Sequence, residues 1–159
     1  MHPLRPLAIR LGGMPWLPRF ARHIVALDRL LRRLTGGRAT LPGLAGLHSL
    51  MLTTTGRRSG LARTTPLLYV PHHGACLVAA SNWGGPTRPA WELNLLAHPD
   101  ASVSVGDQVW PVRARLAAGA ERADLWQEML RVWPNYAKYA ERTSREIPVF
   151  VLEPREPPG

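Results

Sequence analysis

Several features are scarce in this sequence of 159 residues, and each scarcity excludes a class of protein. The only cysteine, Cys76, cannot form an intrachain disulfide, which excludes a small secreted domain held together by disulfides. No stretch reaches the about 18–20 consecutive apolar residues that a membrane-spanning helix needs. The first residues lack a continuous apolar core followed by a small-residue cleavage site, so the sequence predicts no signal peptide and a cytoplasmic protein.

The motifs of several common enzyme classes are also missing. The sequence contains no P-loop, no GxGxxG, no HExxH and no nucleophile elbow. The neighbouring His72 and His73 lack the spacing that would let both bind one metal ion, so we expect no metal site. With 45% hydrophobic and 19% charged residues, the composition is that of a globular domain. The sequence therefore predicts a folded domain outside these enzyme classes.

Acidic residues are few and unevenly placed. The chain has 11 Asp and Glu against 20 Lys and Arg, and all but one of the basic residues are arginine. Residues 1–63 contain eleven arginines and one acid, Asp28, whereas residues 64–159 contain nine basic and ten acidic residues. Nucleic-acid-binding proteins share such an excess, but the basic arm lacks the interleaved aromatic or amide side chains that read bases. A basic arm and an anion-binding site on a balanced domain explain the pattern better.

Residues 16–34 are predicted to form a helix that Gly36 and Gly37 end. Its apolar residues at helical spacing form one stripe, namely Phe20, Ile24, Leu27, Leu31 and Leu34. Two interpretations of this stripe stay open. It either lies on an anionic membrane surface, which attracts the neighbouring arginines, or it docks on the rest of the protein. We therefore divide the chain into a basic amphipathic arm, residues 1–38, and a body, residues 39–159.

The body has the pattern of short strands with helices between them. Six segments rich in β-branched and apolar residues are predicted strands: residues 50–56, 63–70, 75–81, 101–105, 108–116 and 147–154. Gly106 and Asp107 form a two-residue connection typical of a tight hairpin. Residues 89–99, 118–133 and 134–143 are predicted helices. This arrangement indicates an α+β barrel, since closure of a sheet removes its exposed edges.

One segment of the body is suited to binding an anion. Residues 53–66 place Arg57, Arg58 and Arg63 beside Ser59 in a loop flanked by glycines. Guanidinium groups bind phosphates and carboxylates through paired hydrogen bonds, and the N–H groups of a tight turn add to such a site. A solvated basic turn is the alternative interpretation.

Two further segments are suited to binding a flat ring. Residues 81–94 hold Trp83 and Trp91 near a loop that glycines and prolines shape. Residues 133–139 bring Trp133, Tyr136 and Tyr139 to roughly one side of a helix. Ordinary aromatic packing in the core is the alternative interpretation of both segments.

In the same order along the chain, three segments resemble the deazaflavin-dependent nitroreductase and quinone reductase family: TTTGRRSGLARTTPLLYV, VAASNWGGPTRPAWELNLLAHPDASV and YAKYAERTSREIPVFVLEP. The resemblance covers residues 48–154. It implies an α+β fold, a six-stranded split β-barrel with helical inserts and an N-terminal amphipathic helix. It also implies an oxidoreductase that transfers a hydride from reduced coenzyme F420 to a menaquinone-like quinone or a nitroaromatic compound. Such a protein would be cytoplasmic, with peripheral contact at the inner face of the membrane through residues 16–34.

The resemblance assigns roles to named residues. The anionic tail of the coenzyme is expected at the basic loop, on Arg57, Arg58, Ser59, Arg63 and Thr64. The ring is expected between two short segments, on Thr65, Pro66, Leu67 and Leu68 and on Ala79, Ala80, Ser81 and Asn82. The helical insert is expected to close the site with Ala90, Trp91, Glu92, Leu93 and Asn94. The candidate catalytic residues are Ser81, Tyr136 and Tyr139, and Tyr136 is also expected to touch the coenzyme.

The sequence departs from the family pattern at two of these places. Leu68 stands where some members carry a tyrosine, and Tyr69, one position later, points to the other face of a strand. Trp133 stands where a tyrosine can occur. Both changes make the acceptor side more apolar, which favours a quinone over a nitroaromatic compound. An FMN-binding reductase on the same barrel and a non-catalytic cofactor-binding protein are the alternatives, and we do not expect a nucleic-acid partner.

Overall fold

Alternating apolar and β-branched residues in the body form one antiparallel sheet in the computed structural model, which describes residues 2–155. Within that range the strands are β1 (Ser49–Thr55), β2 (Ala62–Leu68), β3 (Val70–His72), β4 (Ala75–Ala79), β5 (Asp100–Val105), β6 (Gln108–Leu116) and β7 (Val149–Pro154). The helices are α1 (Arg5–Gly12), α2 (Ala21–Thr35), α3 (Leu41–Leu44), α4 (Ala90–Ala97), α5 (Gly119–Val132) and α6 (Asn135–Arg142). Short 3-10 turns lie at Leu17–Phe20 and Asn82–Gly84.

The sheet is curled, because its two ends are joined by a single residue. The strands follow the order β2, β1, β5, β6, β7, β4, β3, so that β2 and β3 lie at opposite ends. Yet only Tyr69 separates these two strands in the chain, and its N–H donates to the carbonyl of His48, 3.1 Å away. The sheet must therefore bend round until its ends approach one another, which confirms an α+β fold built on a curled sheet.

The break at Tyr69 also corrects the predicted strand count. Residues 63–70 were expected as one strand of six, but in residues 2–155 they contribute to two of seven strands. The bond from Tyr69 to His48 lies one position beyond the last β1–β2 pair, Ser49 with Leu68, and the chain passes there from one edge of the sheet to the other. The tight hairpin is confirmed, since Val105 pairs with Gln108 and Gly106 has a φ of 61°.

Strand β7 separates two apolar cores. Val149 and Val151 face a cluster that includes Leu125 and Met129 of α5, whereas Phe150 faces a second cluster around β1 and α4. Alternate residues of a strand point to opposite faces, so a continuous apolar run is buried on both sides. The two cores fix α5 and α6 on one face of the sheet and α4 on the other.

The arm packs on the body through a polar face of α2. Asp28 and Arg32 are buried and form an ion pair with 2.7 Å between Oδ2 and Nε. Arg32 also donates to the hydroxyl of Ser49 at 2.6 Å, and the N–H of Leu41 donates to Asp28 at 2.8 Å. The pair thus ties α2 both to β1 and to the start of α3.

The predicted apolar stripe does not form the docked face. Leu27 is 54% exposed and Leu34 is 75% exposed, and Phe20 is also largely exposed, while Ile24 and Leu31 are only half-buried. The ion pair takes the inward position because its hydrogen bonds offset the cost of burying two charges. Gly36 ends α2 as predicted, in the left-handed conformation with a φ of 63°. No helix within residues 2–155 combines the length and the apolar character needed to cross a bilayer.

We expect the change Asp28→Asn to lower the free energy of unfolding by about 3 kcal/mol or more, because it leaves the Arg32 charge buried without its counter-ion. Arg33→Ala is the matched control, since Arg33 is exposed on the next position of the same helix and should change stability by less than about 0.5 kcal/mol. Urea unfolding measures both values. Equal stability of the two variants would contradict this role of the pair.

Candidate functional site

A cleft of about 1180 Å³ lies between the arm and the curled sheet. Its walls come from α1, α2, the segment from α3 to β1, the β1–β2 loop, β2, the loop after β4, α4 and α6. Sites for drug-sized ligands commonly measure about 300–1,000 Å³. The cleft is therefore large enough for two ring systems and an extended tail.

Basic side chains from two elements line one part of the cleft. Arg57, Arg58 and Arg63 come from the β1–β2 loop and its exit into β2, and Arg22 and Arg29 come from α2. Arg29 reaches the loop side directly, since its Nη2 donates to the carbonyl of Thr64 at 3.1 Å.

The acidic side chains of the cleft do not offset this charge. Among the described lining residues Asp28 is the only acid, and Arg32 already neutralises it. The basic part of the cleft therefore attracts anions.

The β1–β2 loop is held in shape by its own backbone and by Asn94. Gly56 donates to the carbonyl of Leu61 and Gly60 donates to the carbonyl of Gly56, both at 2.8 Å. The buried amide of Asn94 accepts from the N–H of Arg57 at 3.1 Å and donates to Thr54 at 3.0 Å. Asn94 therefore acts on the loop by positioning it, in addition to lining the cleft.

Most residues that the sequence assigned to the site line this one cleft. They share positions on the β1–β2 loop, on β2, around the end of β4, and on the faces of α4 and α6 that border the cleft: Arg57, Arg58, Ser59, Arg63, Thr64, Thr65, Pro66, Leu67, Leu68, Ala79, Ser81, Asn82, Ala90, Trp91, Asn94, Tyr136 and Tyr139. The three segments, far apart in sequence, thus meet in space.

Three assigned residues do not reach the cleft. Ala80 is fully buried in the core cluster around β1 and α4. Glu92 and Leu93 lie on the side of α4 opposite to the lining residues, as the spacing of a helix requires. Glu92 is fully buried and paired with Arg88, and its Oε1 has no hydrogen-bond partner within residues 2–155. The three side chains lie outside the cleft lining because the direction of a side chain depends on its register in the strand or helix, and their contact with the coenzyme stays a prediction.

Two tyrosines of α6 border the cleft with their rings in an edge-to-face arrangement, 6.2 Å between centroids. The hydroxyl of Tyr139 donates to the carbonyl of Gly12 in α1 at 2.9 Å and accepts from the indole of Trp133. Burial, with a smaller effect of Tyr139, raises the pKa of Tyr136 well above the ordinary value of about 10. Burial also raises the pKa of Tyr139. Both hydroxyls are therefore neutral donors near pH 7.

The arm and the segment between α3 and β1 supply cleft residues that the sequence motifs did not assign. They are mainly apolar and come from α1, the first turn before α2, α2 and the α3–β1 segment: Leu11, Leu17, Ile24, Val25, Leu41 and Leu47. Leu68 and Trp133 line the cleft beside them, whereas Tyr69 is not a lining residue. Asp28 is the one acidic residue in the sequence of the arm, and it lies four residues before Arg32. This spacing was the sequence signal that could have identified the inward face of α2.

The family model for F420H(2)-dependent quinone reductases matches residues 24–154. A relative named F420H(2)-dependent quinone reductase, from Mycobacterium tuberculosis strain H37Rv, is 38% identical over 146 residues, which covers 88% of this chain and 97% of the relative.

Two solved structures share both fold and sequence with this chain. A structure described as an F420-H2 dependent reductase is 40% identical with a TM-score of 0.61, and the match covers 66% of this chain and 93% of that one. A structure described as a domain-swapped dimer is 37% identical with a TM-score of 0.64, over 80% of this chain and 96% of that one.

Proposed function

This chain belongs to the F420H(2)-dependent quinone reductase family, a family of F420-dependent oxidoreductases, and we propose that its cleft unites the reduced coenzyme with a lipophilic quinone. The observation that carries the proposal is the composition of the cleft, which is basic at the β1–β2 loop and at Arg22 and Arg29 of α2, and apolar at Leu11, Leu17 and the other leucines beside them. A coenzyme with an anionic tail suits the first part, and a quinone with an apolar side chain suits the second. The deazaflavin, when bound, supplies the hydride.

The basic loop fits the coenzyme tail because its guanidinium groups have no acidic partner. Within residues 2–155, Arg57, Arg58 and Arg63 form no salt bridge, so their charges are available to a phosphate or a carboxylate. Arg22 and Arg29 of α2 also line the cleft and extend this positive surface. The tail would therefore lie between the loop and α2.

The ring would lie on β2 and on the segment around the end of β4. Thr65, Pro66 and Leu67 line one wall, and Ala79 and Ser81 line another. These small or apolar side chains exclude water from the faces of a flat ring, and Ser81 offers a hydroxyl to a ring or acceptor oxygen. Trp91 closes the site from α4.

The acceptor would lie between this ring and the arm. Leu68 and Trp133 give it apolar walls, which favours a menaquinone-like ring with a prenyl chain over a nitroaromatic compound. Tyr136 would hold a neutral hydroxyl near the acceptor oxygen, where it donates a hydrogen bond or a proton to the reduced quinone. Tyr139 is tied to Gly12 and holds the arm in place.

We also propose that the arm touches an anionic membrane surface, from which a lipophilic quinone would enter the cleft. Leu27, Leu30 and Leu34 project from α2 into solvent, and Trp16 and Phe20 are exposed before it. Arginines flank these side chains, and an apolar surface with basic neighbours binds anionic lipids. In this proposal residues 1–38 are the arm that completes a split β-barrel of residues 39–159, on the cytoplasmic side of the membrane.

Oxidation of reduced coenzyme F420 by menadione tests the proposed reaction. We expect the wild type to turn over, and the double change Arg57→Ala with Arg58→Ala to raise the KM for the coenzyme by about 10-fold or more, since each lost charged hydrogen bond costs about 1.5–3 kcal/mol. Arg38→Ala with Arg131→Ala removes the same charge from exposed positions outside the cleft and should leave the KM unchanged. No turnover with menadione, or turnover with reduced FMN alone, would contradict the proposal.

Co-sedimentation with vesicles tests the membrane contact. We expect Leu27→Gln with Leu34→Gln to weaken binding to phosphatidylglycerol vesicles by about 10-fold or more, since each buried leucine contributes about 1.5–3 kcal/mol. Val109→Gln with Leu116→Gln is the matched control, because both residues are exposed but lie on β6, away from the arm. Equal sedimentation of the two double variants would remove the membrane role.

A further inference from the structure

We propose that Arg145 is a positioning residue for hydride transfer, acting through the loop that follows β4. We call residues 80–85 the Ser81 loop. The proposal rests on the function proposed above, because that function places the reacting rings beside Ser81. Arg145 itself does not line the cleft and has no assigned role in the family resemblance.

The Ser81 loop has a backbone conformation that its own residues disfavour. Asn82 and Trp83 have φ values of 43° and 57°, in the left-handed region that residues with a side chain rarely adopt. The next residue, Gly84, has a φ of 79°, and a Cβ at that position would lie 2.7 Å from the carbonyl oxygen of Tyr139. Contacts with the rest of the protein must therefore hold the loop in place.

Arg145 supplies three of these contacts from one guanidinium group. Its Nη1 donates to the carbonyl of Ala80 and its Nη2 to the carbonyl of Ser81, both at 3.0 Å, and its Nε donates to the carbonyl of Gly85 at 3.2 Å. These carbonyls belong to both ends of the loop. A rigid planar fork can join them at once, which the single ammonium group of lysine cannot do with the same geometry.

The guanidinium group of Arg145 bonds to the Ser81 loop and, among the described residues, to no acidic side chain. Within residues 2–155 it takes part in no salt bridge, and the carbonyls of the loop are its hydrogen-bond acceptors. Arg142 adds a weaker contact to the carbonyl of Trp83 at 3.4 Å.

This arrangement has an electronic consequence for the cleft. A cation bonded to the carbonyls of Ala80 and Ser81 polarises two peptide groups, whose N–H groups belong to Ser81 and Asn82. Both residues line the cleft. Their N–H groups become stronger donors toward an oxygen that gains negative charge when a quinone accepts a hydride. Arg145 thus fixes the position of these donors and increases their strength.

Arg122 offers a matched control for this role. It is also partly buried, and its Nη2 donates to the carbonyl of Ile147 at 2.6 Å. It also forms an ion pair, from its Nε to Glu146 at 3.0 Å, whereas Arg145 forms none within residues 2–155. It neither lines the cleft nor contacts the Ser81 loop. Arg122→Met should therefore reduce stability as Arg145→Met does, while leaving the loop intact.

The first measurement is amide hydrogen exchange of the ligand-free protein. The N–H groups of Gly84 and Gly85 donate to the carbonyls of Ser81 and Asn82 at 2.8 Å, so they report on the closed loop. We expect exchange at residues 84 and 85 to be at least about 10-fold faster in Arg145→Met than in Arg122→Met. Equal protection in the two variants would overturn the proposal.

The second measurement is single-turnover oxidation of the reduced coenzyme by menadione. We expect Arg145→Met to slow hydride transfer by about 100-fold, the cost of a misplaced catalytic group. The Kd for the oxidised coenzyme should change by less than about threefold, since the tail site is untouched. Arg145→Lys, which keeps the charge, should recover part of the rate, and it carries the test if Arg145→Met does not fold.

The outcomes separate this proposal from the proposed function. Wild-type turnover together with an unchanged hydride-transfer rate in folded Arg145→Met and Arg145→Lys would overturn the role of Arg145 alone. If Arg145→Met lost no more of the hydride-transfer rate than Arg122→Met, Arg145 would have only a structural role. This result would also overturn the proposal. Absence of wild-type turnover would refute the function, and the exchange measurement would still test whether Arg145 holds the loop.

Discussion

The buried ion pair between Asp28 and Arg32 is the interaction on which the site depends. It selects the face of α2 that meets the body. Once the two charges are buried, Arg32 needs the hydroxyl of Ser49 as an acceptor, and Asp28 needs the N–H of Leu41 as a donor. With this face inward, Ile24 and Val25 become a wall of the cleft, and the leucines on the other face stay in solvent. The pair thus determines which face of α2 lines the site and which face becomes the apolar outer surface.

Arginine performs several distinct tasks in this molecule, which gives the excess of arginine over lysine a physical meaning. Within residues 2–155, Arg57 and Arg58 have no acidic partner, Arg32 is neutralised inside the arm, and Arg145 bonds to backbone carbonyls. Arg5 similarly joins α1 to the carbonyl of Val132. The planar, permanently charged guanidinium serves all of these uses, and a lysine would serve few of them. The same residue type therefore supplies the positive charge of the cleft and holds the walls that surround it.

The sequence correctly predicted the helices and strands that are specified by residues close together in the chain. The bounds of β6 agree at both ends, and the hairpin at Gly106 and the end of α2 at Gly36 follow from conformations that glycine adopts easily. It also predicted three segments that meet in one cleft, because their residue types and order resemble a known family. The break at Tyr69 was missed, since it results from the meeting of the two ends of the sheet.

The inward face of α2 was missed for a related reason. An apolar stripe normally docks, and only the partners at residues 41 and 49, which are distant along the chain, make the polar face the buried one. The facing of Ala80, Glu92 and Leu93 likewise depends on register, which a motif does not specify. Local patterns thus predicted the elements and the cleft-forming segments, while long-range pairing decided which side chains enter the cleft.

The most direct test of the cleft as a deazaflavin site is a parallel titration of the protein with coenzyme F420 and with FMN, followed by tryptophan fluorescence. Trp83, Trp91 and Trp133 all line the cleft, so a ligand bound there should quench their emission. We expect saturable quenching by coenzyme F420 and none by FMN at the same concentrations. Quenching by FMN alone, or by neither compound, would contradict the assignment of the cleft to a deazaflavin with an anionic tail.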